Sequence, residues 1–235
     1  MKVKIFLVFL ILYSLHSQLF GQSNNSKMYQ RNFIWVTPVN KNTTINGVAL
    51  GLLGAFTYKG TDTLKINGLN LDASLGGLLG TIYAFTGSIF APFYNKEKWK
   101  SGGEDIASIK IYTDTSSPIR VVIRGVSLSF GGLLRDTKIN GASLNGGISF
   151  AQELNGLEIT GVMNLHYEFT GVMIAGLRNK ATKGKGVQIG LFNNCKEGQV
   201  FQIGLLNRIG KRVLPICNFS FKRKMKNKKK PSTKK

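Results

Sequence analysis

The sequence predicts an all-β protein, a short-period repeat array of β-solenoid type. One observation is a phrase that recurs four times and closes on asparagine. It reads Gly156-Leu-Glu-Ile-Thr-Gly-Val-Met-Asn164, Gly171-Val-Met-Ile-Ala-Gly-Leu-Arg-Asn179, Gly186-Val-Gln-Ile-Gly-Leu-Phe-Asn193 and Gly198-Gln-Val-Phe-Gln-Ile-Gly-Leu-Leu-Asn207. The closing Asn164, Asn179, Asn193 and Asn207 step by 15, 14 and 14 residues, and a fixed step of that size means stacked equivalent units. A second observation is alternation with a period of two. Val187, Ile189 and Leu191 share one face against Gln188 and Phe192, and Phe201, Ile203 and Leu205 share one against Gln202, Gly204 and Leu206. Helical spacing is absent, and 28 glycines would weaken any helix.

In chain order, residues 1–21 read as a secretory signal peptide. Lys2 and Lys4 precede an apolar run from Ile5 to Tyr13, then polar residues and the small Gly21. The run is short for a bilayer span, and no later window offers 18 consecutive apolar residues. Residues 22–43 form a lead-in. The array is expected over 44–221, with an irregular insertion at about 82–118 that carries Tyr83, Phe85, Phe90, Phe93, Tyr94 and Trp99. Those aromatics suit either a docking patch or a local core under a long loop. Looser copies of the phrase open on Gly125 and Gly141, and Asn-Gly pairs at 46–47, 67–68, 140–141 and 155–156 open similar segments.

In a solenoid each unit is one coil, and equivalent residues stack about 4.8 Å apart. Gly161, Gly176, Gly190 and Gly204 are then expected at a corner, and the four asparagines form an amide ladder or each close a turn. The rival architecture is an antiparallel meander or outer-membrane barrel, in which identical residues would not stack. The strands read as about eight residues long, short for a tilted spanning strand. The connections Lys180-Ala-Thr-Lys-Gly-Lys185 and Asn194-Cys-Lys-Glu-Gly198 read as polar turns of similar length. Phe219-Ser-Phe221 reads as a final capping strand.

Charge is lopsided, with a formal net of +21 from 32 Lys and Arg against 11 acids. Nine of the cations lie in residues 222–235, a tail expected to be disordered by self-repulsion. Lys222, Arg223, Lys224, Lys228, Lys229 and Lys230 are the candidate anion contacts. In an exported chain the anions in reach are lipopolysaccharide or phospholipid headgroups, and nucleic acid is not expected. Cys195 and Cys217 are the two cysteines. Export permits a disulfide between them, but sequence does not fix whether they come within bridging distance.

No cofactor, metal or catalytic site is expected. Gly51-Leu-Leu-Gly54 and Gly76-Gly-Leu-Leu-Gly80 lack the Lys-Ser/Thr of a phosphate loop. His166-Tyr167-Glu168 crowds a base, a phenol and a carboxylate. On a strand His166 and Glu168 could meet while Tyr167 points away, and a surface pair is the expectation.

The tandem Gly-Val-x-Ile-(Ala)-Gly-Leu-x-Asn phrase over 156–207, and more loosely Ile45-Asn-Gly-Val-Ala-Leu-Gly51, resembles a family of bacterial cell-surface repeat proteins. The resemblance covers about a third of the chain. It implies an exported location, at the outer membrane or cell surface of a Gram-negative bacterium, and no assigned chemistry. The expected function is a non-enzymatic structural or adhesive role, with a protein or glycan partner left open. A small outer-membrane barrel is the alternative, and an exported enzyme the third.

Overall fold

The structure is a computed structural model and describes residues 28–56, 61–75, 77–79, 81–82, 118–133 and 136–221. Ten strands follow in chain order: β1 (Tyr29–Thr37), β2 (Thr43–Gly51), β3 (Leu64–Asp72), β4 (Val121–Ser129), β5 (Thr137–Asn145), β6 (Ile148–Thr160), β7 (Met163–Ala175), β8 (Arg178–Ile189), β9 (Phe192–Ile209) and β10 (Arg212–Phe221). They form one sheet in the same order, β1 to β10. Every pairing from β1 to β9 is parallel, so each unit returns to the same starting edge, and the chain is a β-solenoid of about nine turns. The antiparallel meander and the barrel are thereby overturned: parallel pairing stacks like residue on like, as in Gly141↔Gly156 and Asn164↔Asn179.

Two details differ from the sequence reading. The sheet begins at β1, inside the segment read as a lead-in, because Tyr29 pairs with Thr43 in the same parallel register as the later coils. The stretches read as polar turns are strand. Lys180 to Lys185 lie within β8 and Asn194 to Gly198 within β9, pairing as Lys180↔Asn194 and Lys183↔Glu197. They build a second wall of the coil, which alternates polar residues outward with Ala181 and Cys195 inward. The signal segment 1–21, residues 83–117 of the insertion and the tail 222–235 lie outside the described residues.

The core of that wall is a column of stacked side chains. Ile45, Ile66, Ile123, Ile139, Leu154 and Phe169 occupy one register slot and are at most 1% exposed. β-branched residues fit such a slot because the pleat holds their χ1 and the neighbour above repeats the same shape. Phe169 is larger than the rest, and the next coil answers with Gly184, where a Cβ would lie 2.4 Å from the Phe169 ring.

Between the two walls the chain bends at a column of glycines. At Gly141 φ is +142° and at Gly156 +140°, and a Cβ on Gly156 would sit 1.9 Å from the Gly141 carbonyl oxygen. Both conformation and contact forbid a side chain there. The first coil carries Phe33 in this slot, at φ +72° and 84% exposed. Its side chain stands free because β1 is the edge of the sheet.

The array ends by reversal. Gly210, at φ +59°, lets β10 fold back antiparallel on β9, with Arg212 opposite Ile209 and a bulge at Pro215/Ile216. Proline and a bulge suit an edge strand, where no further ladder bond is needed.

Candidate functional surfaces

The interior is a sealed polar seam as well as an apolar core. Asn164, Asn179, Asn193 and Asn207 are buried. The first three amides donate to the next side-chain oxygen, Asn164 Nδ2 to Asn179 Oδ1 at 3.0 Å, Asn179 to Asn193 at 2.9 Å and Asn193 to Asn207 at 2.8 Å, and the Asn207 amide donates to the Gly204 carbonyl at 2.8 Å. The first three amide nitrogens also reach the backbone carbonyls of Ile174 (2.9 Å), Ile189 (2.8 Å) and Ile203 (2.8 Å). One side chain thus links coil to coil and satisfies a carbonyl where the chain leaves its flat stretch. None of the four asparagines has a positive φ. Gly161, Gly176, Gly190 and Gly204 sit nearby for lack of room: a Cβ on Gly161 would lie 2.2 Å from the Gly146 carbonyl oxygen, and one on Gly204 would lie 1.9 Å from that of Gly190.

One coil upstream the seam changes character. Ser149 occupies the slot before Asn164 and turns to Glu158, donating from Oγ to Oε1 at 2.6 Å. Asn145 Nδ2 donates to the same Oε1 at 2.9 Å. Glu158 Oε2 pairs with His166 Nε2, both side chains fully buried, while His166 Nδ1 lies 3.1 Å from the Ala151 carbonyl oxygen. The imidazole fits because its register neighbours are Ala151 and Ala181.

The expected surface pairing of His166 with Glu168 is therefore wrong. Glu168 is exposed on the outer wall, and His166 points inward. Alternation alone put the two on one face, but the strand between them does not keep strict alternation, since His166 and Phe169 are both buried. A signal for Glu158 was present: it sits where the other phrases carry Met173, Gln188 and Gln202, so it is an acid in an uncharged slot. Ser149, Glu158 and His166 are not arranged for acyl transfer. The carboxylate lies between serine and imidazole, so the base does not reach the hydroxyl, and all three are buried. Among the described residues, no group of three or more His, Cys, Asp or Glu is placed to hold a metal ion.

Other inward groups are inert or costly. Burial pushes the Cys195 thiol up to about 12, and its Sγ donates to the Glu197 carbonyl at 3.2 Å. Cys217 is exposed, and both thiols are free. Burial also raises Asp72 above its ordinary 3.8, outweighing the hydrogen bond that the Ser74 backbone N–H donates to its Oδ1.

The two outer walls differ sharply. One carries a charged column, Lys65, Val122, Lys138, Glu153, Glu168, Lys183 and Glu197 in register, with Lys138 Nζ 2.5 Å from Glu153 Oε2. The other carries apolar columns two residues apart. Val126, Ala142, Leu157, Val172, Val187 and Phe201 stack in the first, and Leu128, Leu144, Ile159, Ile174, Ile189 and Ile203 in the second. Between them the buried column is largely polar, including Ser127, Ser143, Glu158, Gln188 and Gln202. The apolar half of each recurring phrase thus faces outward: Leu144 is 48% exposed and Ile203 41%.

No family model, curated protein or solved structure matches this chain.

Proposed function

We propose that the protein is an exported, non-enzymatic scaffold of the bacterial envelope, with a structural or adhesive role at the outer membrane or cell surface. The observation that carries this reading is the division of the solenoid into an interior whose polar side chains bond mainly one another, with single oxygens such as Asn164 Oδ1 and Gln202 Oε1 left over, and a long apolar outer wall. Buried polar groups such as the asparagine ladder and the Glu158 cluster bond one another, which is what a rigid stack needs and not what a substrate site offers. An outer wall of repeating apolar side chains is, in contrast, a surface for partners. The N-terminal segment, with Lys2 and Lys4 before an apolar run, supports export, and the resemblance of the phrase to surface repeats supports the envelope.

Fractionation of bacteria expressing the chain tests this. The expected outcome is a protein shortened near Gly21 and recovered with the envelope. Recovery of the uncleaved chain in the cytosol would sink it.

A further inference from the structure

We infer that the apolar outer wall of the solenoid seats on an anionic phospholipid bilayer. The wall is two side-chain columns wide, and stacking at about 4.8 Å per strand makes it about 40 Å long across β1 to β9. Ile34, Val36, Leu50, Val126, Leu128, Leu144, Phe201 and Ile203 are exposed along it. A stripe of that length is longer than scattered surface residues explain.

Charge selects the occupant. Of the acids among the described residues, Asp72 and Glu158 point into the coil, Glu153, Glu168 and Glu197 stand on the opposite wall, and Asp62 and Asp136 lie just before β3 and β5, Asp136 paired with Arg120. None projects from the apolar columns. Their rim is the slot before the glycine column, and it carries Arg124 and Lys185 among uncharged Asn46, Asn67, Asn140, Asn155 and Thr170. The wall also continues onto β10. Antiparallel pairing sets Phe219 opposite Phe201 and Cys217 opposite Ile203, on the same side of the sheet. Phe219 is 51% exposed and Phe221 77%. Nine Lys and Arg follow Phe221 in the sequence, so the last residue of the apolar wall is joined directly to a basic segment. An apolar face joined to a polybasic segment is the combination that binds anionic bilayers. Face-to-face pairing of two copies is disfavoured, because each remains strongly positive, the +21 of the whole sequence less Lys2 and Lys4 of the N-terminal segment.

The choice of lipid over a soluble partner rests on the envelope reading above. Vesicle binding and cellular location are separate measurements, so either can fail without the other. Cys217 supplies a reporter on the wall itself, since Cys195 is buried. The exported chain carrying an environment-sensitive fluorophore on Cys217 is mixed with vesicles of phosphatidylglycerol and phosphatidylcholine, or of phosphatidylcholine alone. The emission should shift to the blue on the anionic vesicles. Leu128→Gln and Leu144→Gln should each weaken partitioning by about tenfold, and Val126→Thr, a gentler change on the same wall, should weaken it by a smaller factor. Replacing Lys228, Lys229 and Lys230 with Gln should reduce the preference for phosphatidylglycerol. Co-sedimentation with no change in Cys217 emission would overturn the inference, as would wall variants that bind as well as the parent. A lipid-free dimer that the wall variants dissociate would assign the face to a second copy instead.

Discussion

At the scale of the residue, the fold depends on positions that accept no side chain and positions that accept one kind. Gly156 is the first sort: φ is +140° and a Cβ would lie 1.9 Å from a carbonyl oxygen of the neighbouring coil. Gly156→Ala is expected to cost about 3 kcal/mol or more, whereas Phe33→Ala, in the same slot at the open edge, should leave urea unfolding nearly unchanged. Asn179 is the second sort, for it donates to Asn193 and Ile189 and accepts from Asn164. Asn179→Ala should cost about 2–4 kcal/mol by stranding buried partners. Asn155→Ala should cost about 0.5 kcal/mol or less, because its 3.0 Å bond to Asn140 is exposed to water. A melt in which the two asparagine variants behave alike would show that the buried ladder contributes no more than the outer one. The recurrence of Gly and Asn was legible as a period. For the asparagines the amide ladder was legible as one of two reasons, and the hydrogen bonds between coils decide for it over turn closure. For the glycines, closeness to another coil is not written in any single phrase.

At the scale of the element, the Glu158 cluster ties three strands together. Asn145 comes from β5, Glu158 and Ser149 from β6, and His166 from β7. Glu158→Ala leaves Ser149 Oγ and His166 Nε2 buried without this partner, while Asn145 keeps Ser143 and Thr160 and His166 Nδ1 keeps the Ala151 carbonyl. The expected loss is about 3–5 kcal/mol. In a double-mutant cycle with His166→Ala the two losses should fall well short of additive, and additive values would mean the pair is not coupled. Asp72, at the end of β3, gives a pH signature. Its folded pKa is raised above 3.8 by burial, so its contribution to stability is complete below that value and declines as pH rises through the folded pKa. Asp72→Asn should therefore gain on the wild type between pH 4 and pH 7 and lose that advantage at lower pH, as followed by urea midpoints.

Elements also show where sequence reading stopped. Alternation separated Val187, Ile189 and Leu191 from Gln188, yet it could not say which set points inward. The inward set is the glutamine side, because the coil interior at that level is a hydrogen-bonded seam, with Gln202 Nε2 donating to Gln188 Oε1 at 2.7 Å. The second wall was missed for a related reason. Lys180, Lys183 and Lys185 read as turn, but a strand with water on one side needs few apolar residues, and here small Ala181 and Gly184 face a core already filled by Phe169. Stacked coils share their burial, so no one unit has to look amphipathic alone.

At the scale of the whole molecule, a parallel stack has a growth problem that β10 solves. Each coil offers its neighbour a row of backbone donors and acceptors, and nothing in β2 to β9 ends the series. The edge of β1, unpaired among the described residues, is complementary on one copy to an uncovered last coil on another, since both belong to the same parallel register. Such head-to-tail contact does not close on itself and leads to open filaments. Gly210 prevents it by reversing the chain, so that β10 covers β9 in the antiparallel sense and presents Pro215 and a bulge outward. A chain ending at Gly210 should therefore assemble into elongated, light-scattering species. A chain ending at Phe221 keeps the cap and loses the same basic tail, so it separates the effect of the edge from that of charge. If the cap is what stops growth, the longer truncation stays monodisperse at concentrations where the shorter one scatters. Equal scattering from both would assign the protection to tail repulsion rather than to the reversed strand.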